Sequence, residues 1–295
     1  MRADEAGRLL ALAREGDLAQ LRSEQASLEE AVRFLAADGR DEEAAELAAG
    51  VWRLWLVSGD VAEGRRLLAA ALDAGAGTPS RARAVALYGD GSLAFRQGAQ
   101  AESRARNEAA LETARAAGDQ EAEALALVGL SRVAFRDGDY DRVCSLALEA
   151  RELTRDLDPD ADVAPLHMLA AGTRLAGDHD GAVALYRESL ELNRRLGDSR
   201  MVGMELHNLG HVELHRGNVE AAERRFAERA AVSNQDDPYE QAMTHLNQAG
   251  LAFARGDRDL AADLLGRTQA TLEASGIVLD PDDAFEVDWL HVRLS

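Results

Sequence analysis

The amino-acid sequence predicts an all-α protein: a solenoid of about seven stacked antiparallel helical hairpins ending in a C-terminal capping helix. Three observations carry this. Punctuation residues recur at a fixed interval, the segments between them space their apolar residues as helices do, and no segment sustains the period-two alternation of a strand. The first series of marks is Gly59-Asp60, Gly98-Ala99, Gly138-Asp139, Gly177-Asp178, Gly217-Asn218 and Gly256-Asp257, with glycine intervals of 39, 40, 39, 40 and 39. The second, interleaved, is Gly39, Pro79, Gly118, Asp158, Gly197, Asp236 and Gly276, at intervals of 39 to 40. Two marks per period leave room for two helices of about 16 to 18 residues each.

The elements follow in order. Residues 3–38 form a degenerate first hairpin around Gly16-Asp17. Six regular hairpins occupy 41–75, 79–117, 119–157, 161–196, 199–235 and 238–275. Glycine ends a helix because it takes the left-handed conformation, and the Asp or Asn after it accepts backbone N–H bonds as the next N-cap. Asp60 with Glu63, and Asp237 with Glu240, have capping-box spacing. Pro79, Pro159, Pro238 and Pro281 fall just inside helix starts, where a missing N–H costs nothing. Between marks the apolar positions are helical, as at Leu125, Val128 and Phe135. Phe226, Leu264 and Leu265 are expected in the core, and Trp52 and Trp55 at the first junction. The last helix, 281–294, carries Phe285 and Trp289 at i, i+4 to cover one open end. A lone hairpin cannot bury its apolar face, so residues 1–295 are expected to stack into a single superhelical domain.

Composition narrows the function. Of 295 residues, 53 are acidic and 33 basic, a net charge of −20, so a nucleic-acid partner is excluded: phosphate binding needs a basic surface. Every basic residue apart from histidine is arginine. One cysteine rules out an internal disulfide and any cysteine-based zinc site. No stretch of about 18 apolar residues offers a membrane span, and the first residues do not read as a signal peptide. The expected compartment is the cytoplasm, with no membrane partner.

Leu206, Leu209-Gly210, Gly217, Ala222 and Phe226 resemble the tetratricopeptide pattern, a Leu-Gly pair in helix A followed by Gly, Ala and an aromatic residue at fixed offsets. Gly177, Ala182 and Tyr186 keep part of it, as do Leu130, Gly138 and Tyr140, whereas Glu213 stands where an aromatic residue is usual. The period is similar to the long-helix variants of kinesin light chains and bacterial peptide-sensing regulators. Residues Trp52 to Asp60 and Glu63 to Leu68 resemble the start of the repeat region in large actinobacterial ATP-binding transcription regulators. The sequence has no lysine for a Gly-x-x-x-x-Gly-Lys loop, so the resemblance covers the repeat region only.

The resemblance implies a right-handed superhelix whose A helices line a concave groove. With each intra-hairpin glycine as position 15, it places positions 2, 5, 6, 9, 12 and 13 in that groove. The ligand-binding candidates are then Arg53, Tyr88, Phe95, Arg96, Arg132, Phe135, Arg136, His167, Arg174, Met204, His207, Asn208, His211, Met243 and Asn247. His215 continues the line of His207 and His211 at i+8. Such a basic and aromatic stripe favours an acidic ligand. Helix dipoles account for Arg96, Arg136 and Arg174 as last-turn cations, but not for Arg53 or Arg132. Asn208 and Asn247, 39 residues apart, are implied to hold the backbone of an extended peptide.

No catalytic constellation emerges. Ser92 lacks the Gly-x-Ser-x-Gly elbow and its strand, and His207 with His211 lacks the Glu of a zincin helix. The expectation is a non-enzymatic protein- or peptide-binding module without metal or cofactor. The alternative is an anionic-metabolite sensor, part of a bacterial transcription regulator, using Arg132, His207 and His211.

Overall fold

The computed structural model describes residues 1–16, 18–74, 78–234, 236–277 and 279–295. The expected mark at Asp17 and the hairpin ends at 75 and 235 lie outside them. Every regular element among the described residues is helical. The helices are α1 (Ala3–Glu15), α2 (Leu18–Ser23), α3 (Gln25–Ala37), α4 (Asp41–Val51), α5 (Arg53–Ser58), α6 (Val61–Ala74), α7 (Arg81–Arg96), α8 (Gln100–Ala117) and α9 (Gln120–Arg136). Then come α10 (Tyr140–Thr154), a 3₁₀ turn at Pro159–Asp162, α11 (Val163–Leu175), α12 (His179–Leu196), α13 (Ser199–His215), α14 (Val219–Val232), α15 (Pro238–Ala254), α16 (Arg258–Ser275) and α17 (Pro281–Leu294).

The local chemistry explains most boundaries. Gly59, Gly98, Gly138, Gly177, Gly217 and Gly256 all have φ between 75° and 93°, the conformation that turns the chain from one helix of a hairpin into the next. Asp178 accepts from the Gly181 N–H at 2.9 Å, Asp198 from Met201 at 2.9 Å and Asp257 from Leu260 at 3.1 Å, each starting a helix. Asp237 caps α15, but the Glu240 side chain turns to Arg229, so only half of that capping box forms. Three expectations need correction. Pro79 lies before α7, whose cap is Ser80; Pro159 opens a 3₁₀ turn rather than an α-helix; and the A helix of the first regular hairpin is irregular at Trp52, whose backbone keeps right-handed helical angles.

The chain divides into two compact units. Unit 1 comprises Met1–Asp137 and Ser145–Leu157; unit 2 comprises Gly138–Cys144 and Asp158–Ser295. Unit 1 buries Trp52, Trp55, Leu67, Leu68 and Leu93 in one core. In unit 2, Tyr186, Leu206, Leu209 and Val212 form one cluster, and Leu246, Leu264, Leu265 and Leu290 another.

Close approach between paired helices depends on missing Cβ atoms. One added at Gly210 of α13 would lie 2.1 Å from Cε1 of Phe226 on α14, so the Leu-Gly pair is a packing device. At Gly203, earlier on the same helix, the nearest atom would be Val232 Cγ2 at 3.7 Å, an ordinary contact. Gly210→Ala is therefore expected to lower stability by about 1–3 kcal/mol. Gly203→Ala should raise it by about 0.5–1 kcal/mol through helix propensity alone. Urea denaturation midpoints of the two variants test the contrast.

Candidate functional site

In unit 2 the A helices α11, α13 and α15 are joined by polar side chains. Arg174 on α11 donates to Asn208 Oδ1 on α13 at 2.6 Å, and His167 Nδ1 lies 3.0 Å from Glu205 Oε1. His211 Nε2 meets Asn247 Oδ1 on α15 at 3.0 Å. The expected Arg, His and Asn stripe is thus cross-linked helix to helix by separate polar pairs, with His207 making no hydrogen bond among the described residues. The two asparagines spend their carbonyl oxygens inside it, and Asn208 Nδ2 is buried with no acceptor among the described residues.

The same face is covered by α17. Glu286 is 1% exposed and pairs with Arg174, itself 2% exposed. The Glu286 carboxylate also reaches His211 Nδ1 at 3.1 Å and His215 Nε2 at 2.9 Å. One turn earlier, Asp283 accepts from the Tyr239 hydroxyl at 2.7 Å and stands 3.1 Å from His207 Nε2, without alignment for a hydrogen bond. Asp282 is buried beside them. Residues 282, 283 and 286 share one side of a helix by their i, i+1, i+4 spacing. Leu290 continues that side into the apolar core with Leu264 and Leu265. Of the expected covering pair, Trp289 packs half-buried on the apolar core, edge-on to His215 and Phe253, while Phe285 is 38% exposed beside His215. The inward edge of the last helix is acidic and meets Arg174 and the α13 histidines.

Titration follows from this packing. Burial alone raises a carboxyl pKa, but the Arg174 charge and the two histidine contacts outweigh it and hold Glu286 well below the usual carboxylate range. Burial, followed by the Asp283 charge for Asp282, pushes Asp282 and Asp283 up. Burial is also the first cause holding His207 well below its ordinary value; the neighbouring His211, Arg229 and Arg174 add to it, and Asp282 opposes. His207 is a neutral imidazole, ring to ring with His211 at 4.6 Å. No group of three His, Cys, Asp or Glu side chains among the described residues has the geometry to hold a metal ion.

The remaining candidates divide as follows. Met243 is 1% exposed, a core residue beside Leu246, and Met204 is half-buried. In unit 1, Arg132 on α9 donates to the Tyr88 hydroxyl on α7 at 3.1 Å. Arg136 lies 3.6 Å over the Phe95 ring and donates to the Phe95 carbonyl at 2.7 Å. Arg53 covers the Trp52 ring, which meets Tyr88 edge-on at 5.6 Å. Phe135 is buried and Arg96 exposed. The sequence reading had no place for Glu205, Tyr239, Asp282, Asp283 or Glu286. The only signal for the last three was an acidic pair and a third acid one turn on, at the start of a helix already accounted for by its aromatic residues.

No family model matches the chain, and no curated protein matches it closely. Solved structures with similar folds do exist. A Rap protein in complex with competence and sporulation factor superposes with a TM-score of 0.65 at 15% identity, covering 98% of this chain and 80% of that one. The apo form of RapI gives 0.66 at 11% identity, covering 90% and 98%. A tetratricopeptide repeat protein from Parabacteroides merdae gives 0.59 at 12% identity, covering 98% of each chain. At these identities the likeness establishes the tetratricopeptide-type fold. The narrower resemblance to ATP-binding regulators rests on residues 52–68 alone.

Removing one member of a buried ion pair strands the other, at about 3–5 kcal/mol. Glu286→Gln and Arg174→Met should each destabilise unit 2 by that order, seen as a lower thermal midpoint near neutral pH. The pH dependence has a definite sign. A depressed pKa means that the unfolded chain protonates first, so the stabilisation is complete above the ordinary value and is lost as pH falls below it. For His207 the loss begins near pH 6.5, and for Glu286 near 4.5. Asp282 and Asp283, raised from 3.8, act in the opposite direction. Thermal melts between pH 8 and 4 should show a flatter slope below 6.5 in His207→Gln and below 4.5 in Glu286→Gln than in the parent.

Proposed function

We propose that the chain is a protein-interaction module that holds an acidic helical segment against the A-helix face of unit 2, and that its own α17 occupies this place in the absence of a partner. The observation that carries the proposal is the seating of Glu286, a carboxylate gripped by Arg174, His211 and His215 from two different repeats. Such a face selects by charge and by helical spacing together: an acid at one position, another three or four residues away, and an apolar residue beyond to reach the core. A partner presenting Asp-x-x-Glu or Asp-Asp-x-x-Glu on one side of a helix would reproduce the contacts of Asp282, Asp283 and Glu286. Two of the similar solved structures are complexes, the Rap protein with competence and sporulation factor and the hetero-tetramer Cut9-Hcn1, which supports a binding role for this chain.

A self-held segment competes with any segment offered in trans, and its release should raise apparent affinity by the factor by which it blocked the site. The test uses a labelled synthetic peptide of residues 279–295. The full chain carrying Asp282→Asn, Asp283→Asn and Glu286→Gln together should bind that peptide at least about tenfold more tightly than the parent chain. Hydrogen exchange should show α17 amides losing protection in the same variant. Adding Arg174→Met should abolish the gain. Equal peptide affinity of parent and triple variant, with α17 amides exchanging alike, would remove the basis of the proposal.

A further inference from the structure

Elsewhere in the chain, acids on one helix meet arginine on another, as Asp90 meets Arg65 and Glu228 meets Arg194. Under α17 the α13 side chains that meet the acids are His207, His211 and His215. An imidazole gains or loses its charge within the physiological pH range, and a guanidinium does not. Arg174 is the permanent cation of this contact, and it shares Glu286 with two of the histidines.

His211 is 1% exposed, so its ring has no water to turn to. Its Nδ1 lies 3.1 Å from Glu286 Oε2 on α17, and its Nε2 lies 3.0 Å from Asn247 Oδ1 on α15. An amide oxygen only accepts, and Glu286, kept ionised chiefly by Arg174, also only accepts. A neutral imidazole has a single N–H and would set a bare nitrogen against one of these oxygens, out of reach of water. The imidazolium has two N–H groups and serves both.

The rest of the surroundings are mixed in charge. On α17, Asp283 stands one turn before Glu286, against His207. On α13, His207 is 4.6 Å from His211 ring to ring, and His215 follows one turn on, 5.5 Å from His179 of α12. Arg174 of α11 holds the same Glu286. On α14, Phe226 lies edge-on to His211 at 5.1 Å, and Arg229 is paired with Glu240. Burial is the first cause keeping His207 neutral, and the charge on His211 is the second. The two rings therefore hold one proton in excess between them, on His211.

We propose that α17 seats with uptake of a proton at His211, which makes the contact between Glu286 and α13 a proton-operated latch, tightened as pH falls and loosened as it rises. Asn247 is its positioning residue, because its oxygen occupies the ring nitrogen that would otherwise be free to give the proton up. The state that binds more protons is favoured at lower pH, and one proton shifts its equilibrium by at most about tenfold per pH unit. Control of binding by this latch rests on α17 leaving its seat, as proposed above; the proton count at His211 does not.

The full chain labelled with ¹⁵N at histidine provides the direct test. Two-bond ¹H–¹⁵N spectra show whether each ring nitrogen is protonated or bare, and His211→Gln assigns the His211 signals. Near neutral pH both His211 nitrogens should appear protonated, and Asn247→Ala should lose the Nε2 proton at a lower pH than the parent. Amide exchange along α17, divided by the intrinsic rate at each pH, gives the second measurement. Between about pH 6.5 and 8.5, where His207 stays neutral, protection in the parent should fall at least about fivefold, and less than half as much in His211→Gln. A bare Nε2 in the parent would mean that Asn247 turns its Nδ2 to the ring, and would overturn the proposal. Equal pH slopes of α17 protection in the parent and His211→Gln would overturn it as well. Should both nitrogens be protonated while α17 opens only with the whole unit, the proton uptake stands and the binding role of α17 falls.

Discussion

A carboxylate withdrawn from water has to be met by charge and hydrogen bonds at once, and in unit 2 one carboxylate, that of Glu286, is met by Arg174, His211 and His215. The arrangement of that unit's polar residues follows from this. Arg174 can sit fully buried because Glu286 and the Asn208 carbonyl oxygen share its donors. His211 can orient toward Glu286 because Asn247 takes its other ring nitrogen. Asp283 and Tyr239 extend the same contact one helical turn toward the start of α17. Apolar burial of Leu290 beside Leu264 and Leu265 anchors the helix, but apolar burial has no direction. The ion pairs fix which side of α17 faces inward, the specifying use of buried charge that its desolvation cost otherwise makes hard to explain.

The fold was legible in the sequence because its determinants are local. A glycine in the left-handed region, an Asp or Ser capping the next helix and helical apolar spacing all act within a few residues, and they recur six times over. Where the reading missed, one tertiary contact and one competing local cap decided. The helix irregularity at Trp52 has no local marker; its indole packs so closely on Gly89 that a Cβ there would meet Trp52 Cγ at 2.8 Å. Pro79 looked like a helix start, and Ser80 took that role with a hydrogen bond to the Arg83 N–H.

The candidate site was half legible. Its nitrogen-bearing half, Arg174 with the histidines 207, 211 and 215, could be read as a stripe because helical spacing lines the three histidines along one face of α13. Its acidic half could not, because Glu286 lies 112 residues from Arg174 and outside the periodic region. Sequence alone said that an acidic group belonged on the face, and left open where it would come from. Glu205 was hidden for a different reason. It is fully buried on α13, and its Oε1 takes the Ser189 hydroxyl of α12 and faces His167 of α11, an interior bridge that no periodic pattern announces.

The position six residues before each hairpin glycine shows how one register can serve both packing and recognition. It reads Arg53, Ser92, Arg132, Ala171, His211 and Gly250 along the chain. At Gly250 a Cβ would lie 2.7 Å from Leu214 Cδ1 of the neighbouring A helix, which would have to shift. Ala171 is 1% exposed and Ser92 8%, both closed in by neighbours. Where α17 covers the position it carries an imidazole, and where it is exposed or half-buried in unit 1 it carries an arginine. The backbone repeat therefore sets where a side chain points, and the local crowding decides whether that direction leads to a neighbour or to a binding face. One repeated backbone can in this way place a buried histidine against a distant carboxylate at one repeat and a small, closed-in residue at another.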